Sequence, residues 1–313
     1  MIGLAEGDVV SIFVQAILFG LYLASLAHCL RWQLVDDEGW RLRTKINWAM
    51  LIIAIFLFLL LTIDLAIRLY LTIAAVQGDT QYFKFPGVAV TVLECSAMLI
   101  TDAVLIYRCW VVYARSWRIV CIPIFFWILL FASSIICVFY LTPLINPKNE
   151  ESVFHAFLLE YYFWIVFYCA NIATNIYVTS AIVLRILKVA KGIGSANSSK
   201  RLHHVSRILT ESGILYTSTS VLSLIGAITI RWPELGLFSN LTSILNFSMA
   251  GITFNLILIR VAQDRSNTPN DRCTDSPCSN SGGVLSTIQF HPHFTMTTRD
   301  STSKLDRNGE SRW

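Results

Sequence analysis

Charged residues are scarce in this chain of 313 residues, and their scarcity excludes an ordinary soluble domain. Only 14% of the residues are Asp, Glu, Lys or Arg, whereas 55% are hydrophobic and the mean hydropathy is +0.60. Soluble domains usually carry about a quarter charged residues, because their whole surface faces water. The composition therefore indicates a protein whose surface faces lipid.

Several residue types are missing from the positions where familiar membrane enzymes need them. None of the six histidines lies in the middle of an apolar run, as a seven-helix zinc hydrolase would require. The last apolar run contains no lysine, which excludes a retinal protein. No nucleophile elbow, phosphate loop or glycosidase-like carboxylate pair appears. We therefore expect no enzyme activity, no metal, no cofactor and no nucleic-acid partner.

Seven long apolar runs are what the chain has instead. Each run reaches or approaches the ~20 residues that an α-helix needs to cross ~30 Å of hydrocarbon. We predict an all-α membrane protein, a seven-transmembrane-helix bundle within residues 1–262, whose partner is the lipid bilayer. The predicted spans are about 9–30, 48–71, 87–107, 119–141, 157–187, 208–230 and 237–259.

Basic residues are almost absent from one set of connecting loops, and this asymmetry predicts the orientation. Of the 24 Lys and Arg residues, Arg68 lies inside a span, and Lys84, Lys148 and Arg231 lie in the loops between spans 2–3, 4–5 and 6–7. The other 20 lie in loops 1–2, 3–4 and 5–6, in the residues that flank those loops, or in the tail. Loops rich in Lys and Arg stay in the cytoplasm. The amino terminus is therefore predicted outside and the carboxy terminus inside, and the predicted location is the plasma membrane.

Two polar segments lie outside the apolar runs. The tail, residues 263–313, is rich in Ser, Thr, Asn, Asp and Arg, and predicts a disordered cytoplasmic segment. The connection Lys188–Arg207 combines Gly and Ser with basic ends, and predicts a flexible loop. Such a loop would attract anionic headgroups or dock a cytosolic partner.

Three ionisable residues in the second and third spans predict a polar core. Asp64 and Arg68 are spaced i, i+4 and therefore share one face of the second helix. The second and third helices run in opposite directions, which puts Arg68 and Glu94 at similar depth. We predict an Arg68–Glu94 ion pair with Asp64 one turn away. The pair would either organise a ligand site or join two helices.

Polar residues also form one stripe on each of two other spans. The fifth span carries Glu160, Trp164, Tyr168, Asn171, Asn175 and Thr179, and the seventh carries Ser239, Ser243, Asn246 and Thr253. Lipid offers no hydrogen-bond partners, so both stripes must point into the bundle. With Arg68 and Glu94 they predict a polar cavity in the outer half, although interhelical hydrogen bonding alone also explains such stripes.

A second group of charges is predicted near the inner side. Asp102 near the inner end of the third span is followed by Tyr107-Arg108, and Glu211 stands near the start of the sixth span, close to Arg207. These residues predict a switchable ion pair between the third and sixth helices. Simple interfacial salt bridging is the alternative.

These features favour a receptor-like sensor of a small or lipophilic ligand, and leave a proton-linked transporter as the alternative. The apolar runs carry no central proline and show no internal repeat, whereas transporters often have repeats and broken helices. The third span lacks an Asp/Glu-Arg-Tyr triplet and the seventh lacks Asn-Pro-x-x-Tyr, which separates the chain from rhodopsin-like receptors. A heterotrimeric G protein or another cytosolic partner would bind loops 3–4 and 5–6.

Two longer motifs carry a resemblance to a family. Arg207-Ile-Leu-Thr-Glu-Ser-Gly-Ile-Leu-Tyr-Thr217 opens the sixth span, and Ala250-Gly-Ile-Thr-Phe-Asn-Leu-Ile-Leu-Ile-Arg-Val261 closes the seventh. Together with Asp102, the pair Tyr107-Arg108 and Trp117, they resemble a family of uncharacterised seven-span membrane proteins expanded in mushroom-forming (basidiomycete) fungi. The resemblance covers residues 1–262. It implies seven spans with an outer amino terminus, and it implies no established activity.

Overall fold

The computed structural model describes residues 4–34, 48–77, 84–145, 150–192 and 196–266, and this part of the chain is almost wholly helical without a strand. The helices are α1 (Leu4–Leu34), α2 (Trp48–Gln77), α3 (Lys84–Val112), α4 (Trp117–Ile145), α5 (Glu150–Gly192), α6 (Ala196–Thr229) and α7 (Gly236–Ser266), with a short 3₁₀ turn at Pro233–Leu235 before α7. All seven are long and apolar enough to cross a membrane. The predicted seven-span architecture is confirmed, and the protein is a multi-pass membrane protein.

The helices form a closed ring with α3 drawn inside it. Each helix contacts its neighbours in sequence, α1 contacts α7, and α3 also contacts α5 and α7. Consecutive helices alternate in direction, so the bundle has two ends. We call the end where α1, α3, α5 and α7 begin the amino-terminal face, and the opposite end the carboxy-terminal face. Which face meets the cytoplasm stays a prediction from the charges.

Apolar side chains cover the outside of the ring and polar side chains fill much of its inside. Phe13 of α1 is 66% exposed, and Phe125 and Phe139 of α4 are 64% and 67% exposed. Asp102 and Asn171, by contrast, have no exposed surface. Water would not tolerate so much exposed apolar area, but lipid does. This distribution agrees with the membrane assignment.

Two predicted boundaries need correction. The connection Lys188–Arg207 was expected to be a flexible loop, but α5 continues to Gly192 and α6 begins at Ala196. Helix α7 likewise runs to Ser266, beyond the predicted start of the tail at residue 263. Segments that leave the hydrocarbon can stay helical without apolar residues, because their backbone hydrogen bonds continue those of the span. The remainder of the predicted disordered tail, residues 267–313, lies outside the described residues.

The connection between α3 and α4 is a tight turn that packs against α5. The amide of Arg115 donates to the carbonyl of Trp110 over 2.9 Å, and Ala114 and Arg115 have φ angles of 52° and 64°. This is the Schellman pattern that ends many helices. The hydroxyl of Tyr113 donates to the carbonyl of Ala181 over 2.8 Å. The turn is therefore held against α5 at the carboxy-terminal face.

Close helix packing depends on glycine at Gly226, where α6 meets α7. A Cβ atom at this position would lie 3.2 Å from Ser239 Cα and closer still to Thr242 Oγ1. We expect Gly226→Leu to lower the free energy of unfolding by about 1–3 kcal/mol, because the larger side chain forces the two helices apart. Unfolding in mixed detergent micelles measures this change.

Gly20 provides the matched control for that prediction, because a Cβ atom there meets nothing within 4 Å. Gly20→Leu should leave the free energy of unfolding the same or slightly higher, since leucine is the better helix former. Equal stability of the Gly226→Leu and Gly20→Leu proteins would contradict the close approach of α6 and α7.

Candidate functional site

A cavity of about 930 Å³ opens at the amino-terminal face. Helices α1, α2, α3, α5, α6 and α7 all contribute described residues to its wall. This volume lies within the range of small-molecule sites, about 300–1,000 Å³. The polar, charged and aromatic residues of the wall are Asp8, Arg68, Thr91, Glu94, Phe157, Glu160, Tyr161, Trp164, Tyr168, Ser223, Glu234, Ser239, Asn240 and Ser243.

Arg68 organises the base of the cavity. Its Nε donates to Asp64 Oδ2 over 3.1 Å, its Nη1 donates to Asn240 Oδ1 over 3.3 Å, and its Nη2 pairs with Glu94 Oε1. Asp64 has no exposed surface and Glu94 is 5% exposed. A planar guanidinium can satisfy several acceptors at fixed angles, which an ammonium group cannot. Arg68 thereby joins α2, α3 and α7 through one side chain.

Residues of α1 and α7 complete this network. Gln15 of α1 donates to Asp64 Oδ2 over 2.7 Å, and Asn240 donates to Ser11 Oγ over 3.1 Å. Ser243 donates to Glu94 Oε2 over 3.1 Å. Each carboxylate therefore accepts hydrogen bonds from a neutral donor as well as from Arg68. Asp64 Oδ1 has no hydrogen-bond partner among the described residues, since Gln15 and Arg68 both donate to Oδ2. Charges in a membrane interior need such partners, and here Arg68 supplies the cation for both carboxylates.

The structure brings Asp64, Arg68 and Glu94 together as their spacing and depth predict. Sequence reasoning missed the supporting residues Gln15 and Asn240. Gln15 could have been found, because Ser11 and Gln15 stand one turn apart in a run that is otherwise almost wholly apolar. Asn240 lies close to the start of the seventh span, where spacing along one helix does not identify it as a partner of Arg68.

The polar stripe of α5 divides between two sites. Glu160, Trp164 and Tyr168 line the cavity, as predicted. Asn171 and Asn175 were predicted to line it too, but they lie deeper and hydrogen-bond to Asp102. Eleven residues of α-helix cover about 16 Å, so one stripe reaches from the cavity into the middle of the bundle. The prediction placed the stripe on the correct face but did not resolve its depth.

Asp102 lies at the centre of the deeper site. Asn171 Nδ2 donates to Asp102 Oδ2, and Asn175 Nδ2 donates to Asp102 Oδ1, each over 3.2 Å. Asn171 Nδ2 also donates to the hydroxyl oxygen of Tyr216 over 3.0 Å. None of these residues is more than 1% exposed. Asp102 therefore holds α3 to α5, and Asn171 connects both to α6.

Side-chain hydrogen bonds one turn below the cavity connect α6 and α7 to this deeper site. Ser223 lines the cavity and stands one turn from Ser220 on α6. Ser220 Oγ lies 2.9 Å from Asn246 Oδ1 and 3.0 Å from Asn171 Oδ1. Asn171 then donates to Asp102. Asn246 was predicted to line the cavity, but it is fully buried beneath it as part of this chain of contacts.

The predicted ion pair between α3 and α6 is wrong in its partners. Asp102 contacts the amides of α5, and Glu211 pairs within α6 with Arg207, over 2.9 Å. Both members of the Arg207–Glu211 pair are exposed. Arg108 lies six residues beyond Asp102, about 9 Å further along α3, and is half-buried. Asp102 and Glu211, the two acids of the predicted pair, therefore belong to separate groups.

The described residues contain no group of three His, Cys, Asp or Glu side chains that could hold a metal ion. What the cavity wall does offer is hydrogen bonding, negative charge and aromatic surface. These are means of binding and orienting a molecule.

Comparison with known protein families, with curated proteins and with solved structures finds no match for this chain. The resemblance to the mushroom membrane-protein family therefore stays a prediction that depends on the motifs of the sixth and seventh spans.

Proposed function

We propose that this protein is a receptor-like sensor, which binds a small or lipophilic ligand in the cavity and signals at the carboxy-terminal face. The observation that carries the proposal is the position of Arg68, which lines the cavity and contacts α2, α3 and α7 at once. A ligand that competes for Arg68 or Glu94 changes the contacts among these helices. Binding therefore favours one arrangement of the bundle over another.

The buried contacts below the cavity supply a route for such a change. Ser220 bridges Asn246 of α7 and Asn171 of α5, and Asn171 contacts Asp102 of α3. These polar groups have few alternative partners in the bundle, so a shift of one helix must be accommodated by its neighbours. The proposed signal passes from the cavity to the ends of α3, α5 and α6.

The cytosolic partner is proposed to bind the turn between α3 and α4 together with the extended ends of α5 and α6. Arg115, Arg118, Lys188 and Arg207 are exposed there. If this face is cytoplasmic, as the basic residues predict, the surface is positively charged and open to a soluble protein. A heterotrimeric G protein is the candidate, and the plasma membrane is the proposed location.

A proton-linked transporter is the second candidate function. Three buried carboxylates, Asp64, Glu94 and Asp102, favour it, because buried acids in membranes often carry protons. The helices argue against it, since α2 to α7 are each continuous through the described residues, whereas many transporters bind their substrates at broken helices.

Co-purification from native membranes tests the receptor proposal. We expect a G-protein α subunit to accompany the protein and to dissociate when a GTP analogue is added. The double variant Arg115→Glu, Arg118→Glu should fold normally, because both side chains are exposed, and should lose the partner. Proton-coupled uptake into reconstituted vesicles that disappears in Glu94→Gln would instead establish the transporter.

A further inference from the structure

The charges of the cavity wall are unbalanced. Asp8, Glu94, Glu160 and Glu234 all line it, and Arg68 is the only basic residue among the described lining residues. Arg68 is already engaged by Asp64, Glu94 and Asn240. The base of the cavity thus has two carboxylates for one guanidinium, and the wall above it adds further negative charge.

Glu160 has no basic partner among the described residues. The indole nitrogen of Trp164 donates a hydrogen bond of 3.4 Å to Glu160 Oε1. Glu160 is half-buried, so water screens it less than it would screen a surface carboxylate. A carboxylate in this setting attracts a positive charge that enters the cavity.

One wall of the cavity is aromatic. Phe157, Tyr161, Trp164 and Tyr168 follow each other along a single face of α5, and all four line the cavity. The rings of Trp164 and Tyr168 are stacked, with centroids 5.7 Å apart. Aromatic rings attract cations through the negative charge of their faces, and carboxylates beside such rings add to the attraction.

The structure already shows a cation on this wall. The guanidinium of Arg231 lies 5.6 Å from the ring centroid of Tyr161. Arg231 is exposed and is not among the described residues that line the cavity, so it does not occupy the space beside Trp164. The remaining wall includes Val90 and Leu237, which are suited to an apolar body.

We propose that the ligand of the cavity is an organic ammonium ion with an apolar body, bound by Glu160 and the aromatic wall of α5. This inference rests on the proposed ligand-binding function and names its ligand class. The cationic head lies near Glu160 and Trp164, and the apolar body lies against the aliphatic part of the wall. Such a molecule is either a water-soluble amine or an amine lipid that enters from the membrane.

Isosteric probes test the charge requirement. Benzyltrimethylammonium and neopentylbenzene have nearly the same shape, but only the first is charged. Binding of each to the full-length protein in an uncharged maltoside detergent is measured by calorimetry and by the shift of the thermal unfolding midpoint. We expect the cation to bind at least about tenfold more tightly than the neutral probe, since carboxylate and cation–π contacts act together.

Three variants locate the binding. Glu160→Gln keeps the shape of the side chain and should weaken binding of the cation by about tenfold, while leaving the neutral probe unaffected. Glu211→Gln removes an exposed carboxylate at the opposite face and should leave the binding of both probes unchanged. Trp164→Leu should also weaken binding of the cation, because it removes the indole ring.

The outcomes separate this inference from the proposed function. Equal binding of both probes, unchanged in Glu160→Gln, overturns the ammonium assignment and leaves the cavity as a site for neutral ligands. Failure of every probe to bind overturns both proposals. Hexyltrimethylammonium and dodecyltrimethylammonium distinguish the two sources: tighter binding of the longer chain indicates an amine lipid, and equal binding indicates a water-soluble amine.

Discussion

Replacing Arg68 by methionine is expected to lower the free energy of unfolding by about 3–5 kcal/mol, because it leaves two buried carboxylates without their cation. Asp64 and Glu94 both contact Arg68, and each is at most 5% exposed. Methionine fills a similar volume, so the loss of stability would come from the unpaired charges and not from a packing void. Reversible unfolding in mixed micelles is the measurement.

The chain contains a matched control for this substitution. Arg207 and Glu211 form an i, i+4 pair like that of Arg68 and Asp64, but their side chains are 79% and 56% exposed. Exposed pairs contribute about 0–1 kcal/mol, since water screens them and their side chains lose entropy in pairing. Arg207→Met should therefore be nearly neutral. Equal losses of stability in Arg68→Met and Arg207→Met would contradict the buried ion-pair network around Arg68.

A double-mutant cycle keeps the prediction testable if Arg68→Met proves too unstable to purify. Asp64→Asn removes one carboxylate and keeps an acceptor for Gln15, whose bond to Asp64 spans 2.7 Å. In the Asp64→Asn background, removal of Arg68 leaves one buried carboxylate without a cation instead of two. The second substitution should then cost less than it does in the wild-type protein. Purely additive losses would contradict a shared network.

This site also shows how far the sequence could predict the structure. The Asp64–Arg68–Glu94 cluster followed from helical spacing and from the depth of each residue in its span, since charges in lipid must find partners. The role of Asn240 could not be predicted in this way, because an amide close to the end of a span can hydrogen-bond to water instead of to the bundle. Its contact with Arg68 depends on how α7 is rotated against α2, which spacing along one helix does not determine.

The prediction for Asp102 failed for a related reason. The helical spacing of polar residues correctly predicted that Asp102 points into the bundle. It also correctly predicted that the polar stripe of α5 points inward. The choice between the amides of α5 and the charges of α6 depended on which helix α3 approaches at that depth. Helix α3 contacts α5 directly. Glu211 pairs with Arg207, which lies one turn away on the same helix. Such an i, i+4 pair forms within one helix and needs no tertiary contact.

Asp102 is the second position at which a single substitution should have a large effect. Asp102→Leu takes one acceptor from each of Asn171 and Asn175, whose amides both donate to the carboxylate over 3.2 Å. A buried donor that loses its partner costs about 1–3 kcal/mol. With two such donors, we expect the free energy of unfolding to fall by about 2–5 kcal/mol. Tyr216→Phe, which removes one acceptor from Asn171, should lose about half as much or less.

Asp102→Asn separates the structural role of this carboxyl group from a role in proton transfer. The asparagine keeps the shape and one acceptor oxygen, so its free energy of unfolding should lie between those of the wild-type and Asp102→Leu proteins. In a sensor, Asp102→Asn should still bind the ligand in the cavity, because Asp102 does not line the cavity and contacts Asn171 below it. In a proton-linked transporter, the same variant should fold and bind but lose coupled uptake in vesicles. Measuring stability, binding and proton flux on this one protein therefore decides whether the deep polar cluster connects helices or carries protons, and we expect it to connect helices.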